Sequence, residues 1–198
     1  LYGVAVRADP GDRDLSELSL DELLDKKVST VTAAAKRTQS VSDAPSAVSV
    51  VSSDEIRKFG FQNLGEVLAS TRGFYTSSDR NYTYLGVRGF GRPGDYNSRV
   101  LVLVDGQRMN DNVTGGALIG SEFLIDPDLI DRVEIIRGPG SSLYGSNAFF
   151  AVVNVVTRRG KDVDGAEASF AAGSYDRYQG RFSYGGVFKQ DFDLMLSG

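Results

Sequence analysis

The strongest constraint on the fold of this chain is an alternation of apolar and polar side chains, residue by residue, that begins at about residue 161. Successive side chains of a β-strand point to opposite faces, so this period of two predicts antiparallel strands with one apolar face. A transmembrane β-barrel and a solvated antiparallel sheet share this period, so the pattern by itself leaves both interpretations open. The predicted apolar face carries Ala166, Ala168, Phe170, Ala172, Tyr178, Phe182, Tyr184, Phe192, Leu194 and Leu196.

The region from residue 28 to 160 has a different sequence pattern, in which short helix signals, apolar strands and glycine turns follow one another. Ser52–Glu55 is a capping box that predicts a helix with Ile56 and Phe59 on one face, and Gly60 would end it. This mixture predicts an α/β (α+β) domain with a small mixed sheet. The other predicted elements are a helix from Asn63–Glu66, a helical turn from Asp126, a turn at Ser141–Gly145, and strands at Val48–Val51, Tyr82–Arg88, Val100–Val104, Arg132–Arg137 and Ala151–Thr157.

Residues 1–27 form an acidic and polar N-terminal extension. The capping box Ser19–Glu22 predicts one short helix within it. Leu1–Ala8 fits either the stub of a signal peptide or an ordinary terminus. We therefore expect three segments, 1–27, 28–160 and 161–198.

The composition excludes several kinds of chemistry. The 198 residues include no Cys and no His, so thiolate nucleophiles, Ser-His-Asp triads and imidazole or thiolate metal ligands are impossible. These absences agree with a protein that is not an enzyme, and we expect no catalytic residue, no metal site and no cofactor. The net charge of −4 argues against a nucleic-acid partner, which favours a basic face.

Gly89–Gly94 matches the spacing of a dinucleotide-binding loop, but Pro93 and the polar residues after it predict a loop where that motif needs a helix. Two arginines are more informative. Arg88 and Arg137 each end an apolar strand directly before a glycine, where a buried charge needs a carboxylate. Pairing with Glu134 or Asp105 within the chain is possible, and the residues themselves do not decide it.

Five motifs occur in one order across the middle of the chain. They are Thr32–Arg37 with Asp43–Pro45, Val87–Gly91, Arg99–Gly106, Ile135–Ala148 and Val153–Thr157. In this order they resemble the plug domain of TonB-dependent outer-membrane receptors, and the resemblance extends from about Val28 to Arg159. The C-terminal alternation then resembles the first two to three antiparallel strands of the surrounding transmembrane β-barrel.

The resemblance implies a function and a set of partners. Receptors of this kind hold the plug inside a barrel of about 22 strands, too many for 198 residues, so we expect a part of a longer receptor. The implied function is energised uptake of a scarce nutrient, an iron-siderophore or cobalamin-type ligand, across the bacterial outer membrane. The implied partners are TonB on the periplasmic side, the rest of the chain's own barrel and the small-molecule nutrient. The alternative is a soluble periplasmic binding or signalling module that reuses the plug fold.

The resemblance also implies roles for individual residues. Arg88 and Arg137 would pair with barrel glutamates and lock the plug, so we expect neither to find a full partner within this chain. Val28, Ser29, Thr30, Val31 and Thr32 would add as a strand to TonB or form a simple linker.

Three polar loops would face the ligand, at 76–82, 92–98 and 110–120, or be plain surface turns. The candidate ligand-facing residues are Tyr82, Arg92, Asp95, Tyr96, Asn97, Asn110 and Asn112. The candidate structural turns are Gly89, Gly91, Asp105, Gly106, Gly138, Pro139 and Gly145.

Overall fold

The structure is a computed structural model that describes residues 47–173, 178–188 and 192–198, with the backbone of 30–31 and 39–40. The predicted N-terminal extension and its helix lie outside the described residues. The strands are β1 (Thr30–Val31), β2 (Gln39–Ser40), β3 (Ala47–Ser52), β4 (Phe74–Ser78), β5 (Thr83–Val87), β6 (Val100–Val104), β7 (Gln107–Arg108), β8 (Ile130–Arg137), β9 (Ala151–Thr157), β10 (Gly165–Ala172), β11 (Tyr178–Phe188) and β12 (Phe192–Ser197). The helices are α1 (Ser53–Phe59), α2 (Leu64–Ala69), a 3-10 turn at Pro127–Leu129, α3 (Ser141–Tyr144) and α4 (Gly160–Val163).

A five-stranded mixed sheet organises the unit that ends at Thr157. Its strand order is β3-β8-β9-β6-β7, and β6 and β9 run parallel while the other neighbours are antiparallel. The inner strands are apolar without alternation because both faces are covered. On one face Val102, Val133 and Val153 pack in the main core, and on the other Leu101 and Val152 form a smaller cluster.

Helices α1 and α2 cover the main core, and their ends follow the predicted signals. Ser52 and Glu55 form the capping box of α1, which ends at Gly60 with a φ of 68°. Asn63 caps α2 by accepting a hydrogen bond from the Glu66 amide. In the part of the chain that the structure describes, no helix is long and apolar enough to cross a bilayer.

The structure differs from the prediction in three local features. Phe59 does not share the buried face of Ile56; as the last residue of α1 it is exposed and its ring stacks on Phe61 at 5.6 Å. Ser141–Tyr144 is a short helix, α3, where a turn was predicted. Strand β4 was not predicted at all, because its sequence is polar and most of its side chains are exposed.

The unit from Arg158 onward is an antiparallel three-stranded sheet in the order β10-β11-β12. Its apolar face is exposed, as shown by Phe170, Phe182 and Leu196. The polar face includes the Arg158–Glu167 ion pair at 2.9 Å. The period of two thus produces a sheet with one face of exposed apolar side chains.

Candidate functional site

Arg88 lies in a two-residue turn at the end of β5. The Val87 amide donates to the Phe90 carbonyl at 2.8 Å, and the Phe90 amide donates back at 2.9 Å. Arg88 and Gly89 between them have φ values of 52° and 84°, as a type I′ turn requires. A left-handed conformation costs a residue with a Cβ about 1 kcal/mol. This turn holds an exposed guanidinium at the end of the strand.

The fold brings Arg88 and Arg137 together although they are far apart in the sequence. Arg88 Nη2 donates to the backbone carbonyl of Arg137 at 3.3 Å. Arg137 Nη1 donates to the Arg72 carbonyl and its Nη2 to Ser49 Oγ, both at 2.9 Å. Arg137 Nε is buried and has no hydrogen-bond partner among the described residues. Two positive charges therefore share one site, and among the described residues they donate hydrogen bonds only to neutral oxygens.

Neither carboxylate considered from the sequence pairs with these arginines. Glu134 is fully buried and forms its ion pair with Arg132 at 2.9 Å. Asp105 accepts hydrogen bonds from the Thr157 amide at 2.9 Å and the Thr157 hydroxyl at 2.7 Å. Within the described ranges, no salt bridge includes Arg88 or Arg137.

A cavity of about 490 Å³ lies between the predicted ligand-facing loops. The Tyr82 and Tyr96 rings meet edge to face with centroids 5.2 Å apart, and the Tyr84 ring lies 6.1 Å from that of Tyr96. Tyr82 and Tyr96 are 41% and 46% exposed, so ring surface is available to a ligand. The lining residues are Tyr82, Thr83, Tyr84, Tyr96, Asn97, Asp111, Thr114, Gly116, Ala117, Leu118 and Glu122.

The charged groups at this cavity are carboxylates. The Tyr84 hydroxyl donates to Asp79 Oδ2 at 2.7 Å, and this bond raises the pKa of Tyr84 to about 12. The Tyr82 amide, the Tyr84 hydroxyl and the Asn81 amide together lower the pKa of Asp79. The Thr114 hydroxyl and the Val113 and Thr114 amides lower the pKa of Asp111. Asp79 and Asp111 therefore stay ionised at neutral pH.

Two candidate ligand-facing residues use their side-chain amides within the fold, although Asn97 also contributes to the cavity lining. Asn110 is 5% exposed, and its amide binds the Val102 amide, the Val100 carbonyl and the Gly115 carbonyl. Asn97 is also buried; its Oδ1 accepts from Leu85 and its Nδ2 donates to Thr83 and Ala117. Both amides are occupied by backbone groups, so these residues hold the loops in place. The sequence could not separate a loop asparagine that faces a ligand from one that braces the loop.

The other candidates lie on exposed loops. Arg92 and Asn112 are exposed, and Asp95 forms an ion pair with Arg99 at 3.1 Å. Tyr84 and Glu122 line the cavity although they were not predicted to do so. Tyr84 could have been found, because residues two apart in a strand share a face and Tyr82 was already a candidate.

The comparisons with known proteins identify the family. The model of the TonB-dependent receptor plug domain matches residues 40–152, more than half of the chain. This chain belongs to the TonB-dependent receptor plug domain family. The match includes both arginines, all three tyrosines and the central sheet except most of β9, so these features belong to a plug.

Relatives and a solved structure agree with this assignment. The plug is 32% identical over 133 residues to the iron-regulated outer membrane virulence protein of Vibrio cholerae, covering 65% of this chain and 20% of that protein. It is 32% identical over 163 residues to the vitamin B12 transporter BtuB of Vibrio vulnificus, and this match covers 81% of this chain and 25% of that transporter. The fold is similar to that of the ferripyoverdine receptor of Pseudomonas aeruginosa, with a TM-score of 0.65 and 21% identity. The similarity covers 82% of this chain and 20% of the receptor. The chain thus spans a quarter or less of the length of these proteins.

The predicted turns of the plug adopt conformations that suit their residues. Asp105 and Gly106 have φ values of 48° and 81° and connect β6 to β7. Gly91 has a different reason for being glycine, because a Cβ there would lie 2.7 Å from the Gly86 Cα. Gly89, Gly138 and Gly145 also have positive φ, while Pro139 is exposed beside Gly138.

The candidate TonB-contact segment is described only in part. Thr30 and Val31 form β1, which pairs antiparallel with Ser40 and Gln39 of β2. Val28, Ser29 and Thr32 lie outside the described residues. The backbone of the segment is therefore extended where it is described, as a strand-adding segment must be.

Proposed function

We propose that this chain is the plug of an outer-membrane receptor that imports a scarce nutrient with energy supplied through TonB. The cargo is an iron-siderophore or cobalamin-type ligand, the plug lies in the barrel lumen facing the periplasm, and no chemical step or cofactor is involved. Family membership over residues 40–152 supports this proposal, as do relatives named as a vitamin B12 transporter and an iron-regulated outer membrane protein.

The arginine pair carries the proposal. Arg88 and Arg137 lie together at the ends of two strands, and within the described part of the chain they donate hydrogen bonds only to backbone carbonyls and one hydroxyl. Leaving a buried charged donor without a partner costs about 1–3 kcal/mol or more, so the observed site is incomplete. Glutamates on a surrounding barrel wall would complete it and hold the plug in place.

The C-terminal strands support a receptor over a soluble periplasmic module. Phe170, Phe182 and Tyr184 lie on the exposed face of a sheet whose opposite face carries Glu167 and Ser183. A soluble module would expose this aromatic face to water, whereas a barrel strand presents such a face to lipid.

The direct test uses the complete receptor in a bacterial strain that lacks it. Uptake of radiolabelled iron-siderophore complexes and of cobalamin is measured with TonB present and with TonB deleted. We expect accumulation of at least one of these ligands that requires TonB. If neither ligand class is accumulated in a TonB-dependent way, the proposed function is wrong.

The lock is tested separately by replacing both arginines, Arg88→Gln and Arg137→Gln, in the complete receptor. A loosened plug should raise the sensitivity of the cells to large antibiotics that the outer membrane normally excludes. Arg57→Gln is the matched control, because Arg57 is an exposed residue of α1. Equal antibiotic sensitivity of the double variant and the control would contradict the lock.

The TonB contact is tested by deleting residues 28–32 and measuring binding to purified TonB. We expect binding to be lost, because the backbone of this segment would supply the added strand. A deletion of residues 10–14, in the polar extension, is the control. Undiminished binding after the first deletion would assign residues 28–32 to a linker.

A further inference from the structure

Three tyrosine rings, Tyr82, Tyr84 and Tyr96, form a cluster in the lining of the cavity of about 490 Å³, which we call the tyrosine cavity. Three rings lie with neighbouring centroids 5.2 Å and 6.1 Å apart, and two of them remain partly exposed. Aromatic faces attract a cation within about 6 Å of the ring centroid. Ala117 and Leu118 add apolar surface to the same lining. Such a wall suits a cation that carries methyl or methylene groups.

The charged residues that line the tyrosine cavity are all acidic. Asp111 and Glu122 both line the cavity, and none of its described lining residues is Lys or Arg. No hydrogen bond or ion pair to a described residue occupies the carboxylate of Glu122, whereas Asp111 binds its own loop. Arg99, two residues after the lining residue Asn97 in the chain, is paired with Asp95 at 3.1 Å. An anion entering this cavity would meet only repulsion from its charged groups.

A bare metal ion does not fit these residues. No group of three or more His, Cys, Asp or Glu side chains capable of holding a metal ion occurs in the described part of the chain. Hard cations need several oxygen ligands at once, while an organic cation is satisfied by ring faces and one or two carboxylates.

We propose that this cavity binds an organic cationic group of the cargo, an ammonium-type group, and discriminates against ligands that present an anionic group there. The inference rests on the proposed function, because uptake is what brings a ligand to these loops. It specifies the cargo further: a complex whose exposed part is neutral or cationic, with an amine or alkylated nitrogen that contacts the exposed ring surface of Tyr82 and Tyr96.

The test uses three soluble probes of nearly the same shape and different charge. They are choline, the neutral isostere 3,3-dimethylbutanol and the anion 3,3-dimethylbutyrate, titrated into the 198-residue chain while the backbone amides of Thr114 and Ala117 are followed by NMR. We expect choline to bind at least about fivefold more tightly than the neutral isostere, as a partly desolvated cation–π site would. We expect no saturable shift with the anion.

Two variants assign the effect to the cavity. Glu122→Gln should weaken choline binding about threefold or more and leave binding of the neutral isostere unchanged. Tyr82→Leu, at an exposed loop position, should weaken choline binding by removing one ring. Asp54→Asn is the control, because it removes an equal charge from the first turn of α1.

The outcomes separate this inference from the proposed function. Equal affinities for the three probes, or Glu122→Gln behaving like Asp54→Asn, would overturn the cationic preference while leaving TonB-dependent uptake intact. Failure of uptake in the complete receptor would instead remove the transport role, and the charge preference of the cavity would still be measured directly.

Discussion

Replacement of Asn110 by alanine should destabilise the plug strongly although the residue lies in a polar loop. The Asn110 side chain acts as an additional peptide group beside β6. Its Oδ1 accepts from the Val102 amide at 2.8 Å, and its Nδ2 donates to the Val100 carbonyl at 3.0 Å and the Gly115 carbonyl at 2.8 Å. The hydrogen bonds from Nδ2 thus tie the loop at Gly115 to the edge of the central sheet.

The size of the effect follows from these bonds. Asn110→Ala leaves two buried backbone groups of β6 without partners, and each such group costs about 1–3 kcal/mol. We expect a loss of about 3 kcal/mol in the free energy of unfolding. With a urea m-value of about 2 kcal/mol/M, the midpoint of unfolding falls by about 1.5 M with an unchanged slope.

Asn110→Asp makes the test sharper. A carboxylate there would place its oxygens against the carbonyls of Val100 and Gly115, so at pH 7 it should destabilise more than alanine. The folded state raises the pKa of this new acid, so the penalty is absent below the unfolded value near 4 and appears as pH rises through it. The excess loss over the alanine variant should therefore shrink as the pH falls towards about 4 and be absent below it.

The neighbouring Asn112 supplies a matched control, because it is exposed in the same loop. Asn112→Ala and Asn112→Asp should change stability by no more than about 0.5 kcal/mol. If the two alanine variants unfold at the same urea concentration, the bracing role of Asn110 is refuted.

Two further predictions concern the tyrosines of the plug. Gly86→Ala should destabilise by about 1–3 kcal/mol in urea unfolding, because its Cβ would lie 2.0 Å from Cζ of Tyr75, and adding Tyr75→Ala should recover part of the loss; additive losses would contradict this packing. Asp79→Asn should return the pKa of Tyr84 from about 12 towards 10 in an ultraviolet titration. Because the pKa of Tyr84 is raised in the folded state, its bond to Asp79 stabilises the fold fully below pH 10, and this stabilisation is lost between about pH 10 and 12. The variant should lack this pH dependence. An unchanged Tyr84 titration would contradict the Asp79 contact.

Local signals were sufficient for much of the secondary structure. The Ser52 capping box, the apolar run Val100–Val104 and the β-branched run Ala151–Thr157 all describe elements whose cause lies within a few residues. Strand β4 was not predicted because its cause does not lie within a few residues. Its polar residues have little strand signal of their own, and its pairing with β5 is what makes it a strand.

The sequence by itself determined the family of this protein, through motifs in a fixed order, and the period-two pattern of its C-terminal strands. Only the tertiary structure decided what the loop residues do. Asn97 and Asn110 face inward because buried backbone groups need partners, while Tyr82, Tyr84 and Glu122 meet at one cavity. Arg88 and Arg137 were visible as unusual charges, but their meeting depends on the end of β8 lying within reach of the Arg88 side chain. Such contacts between distant residues arise from chain topology, and no local pattern contains them.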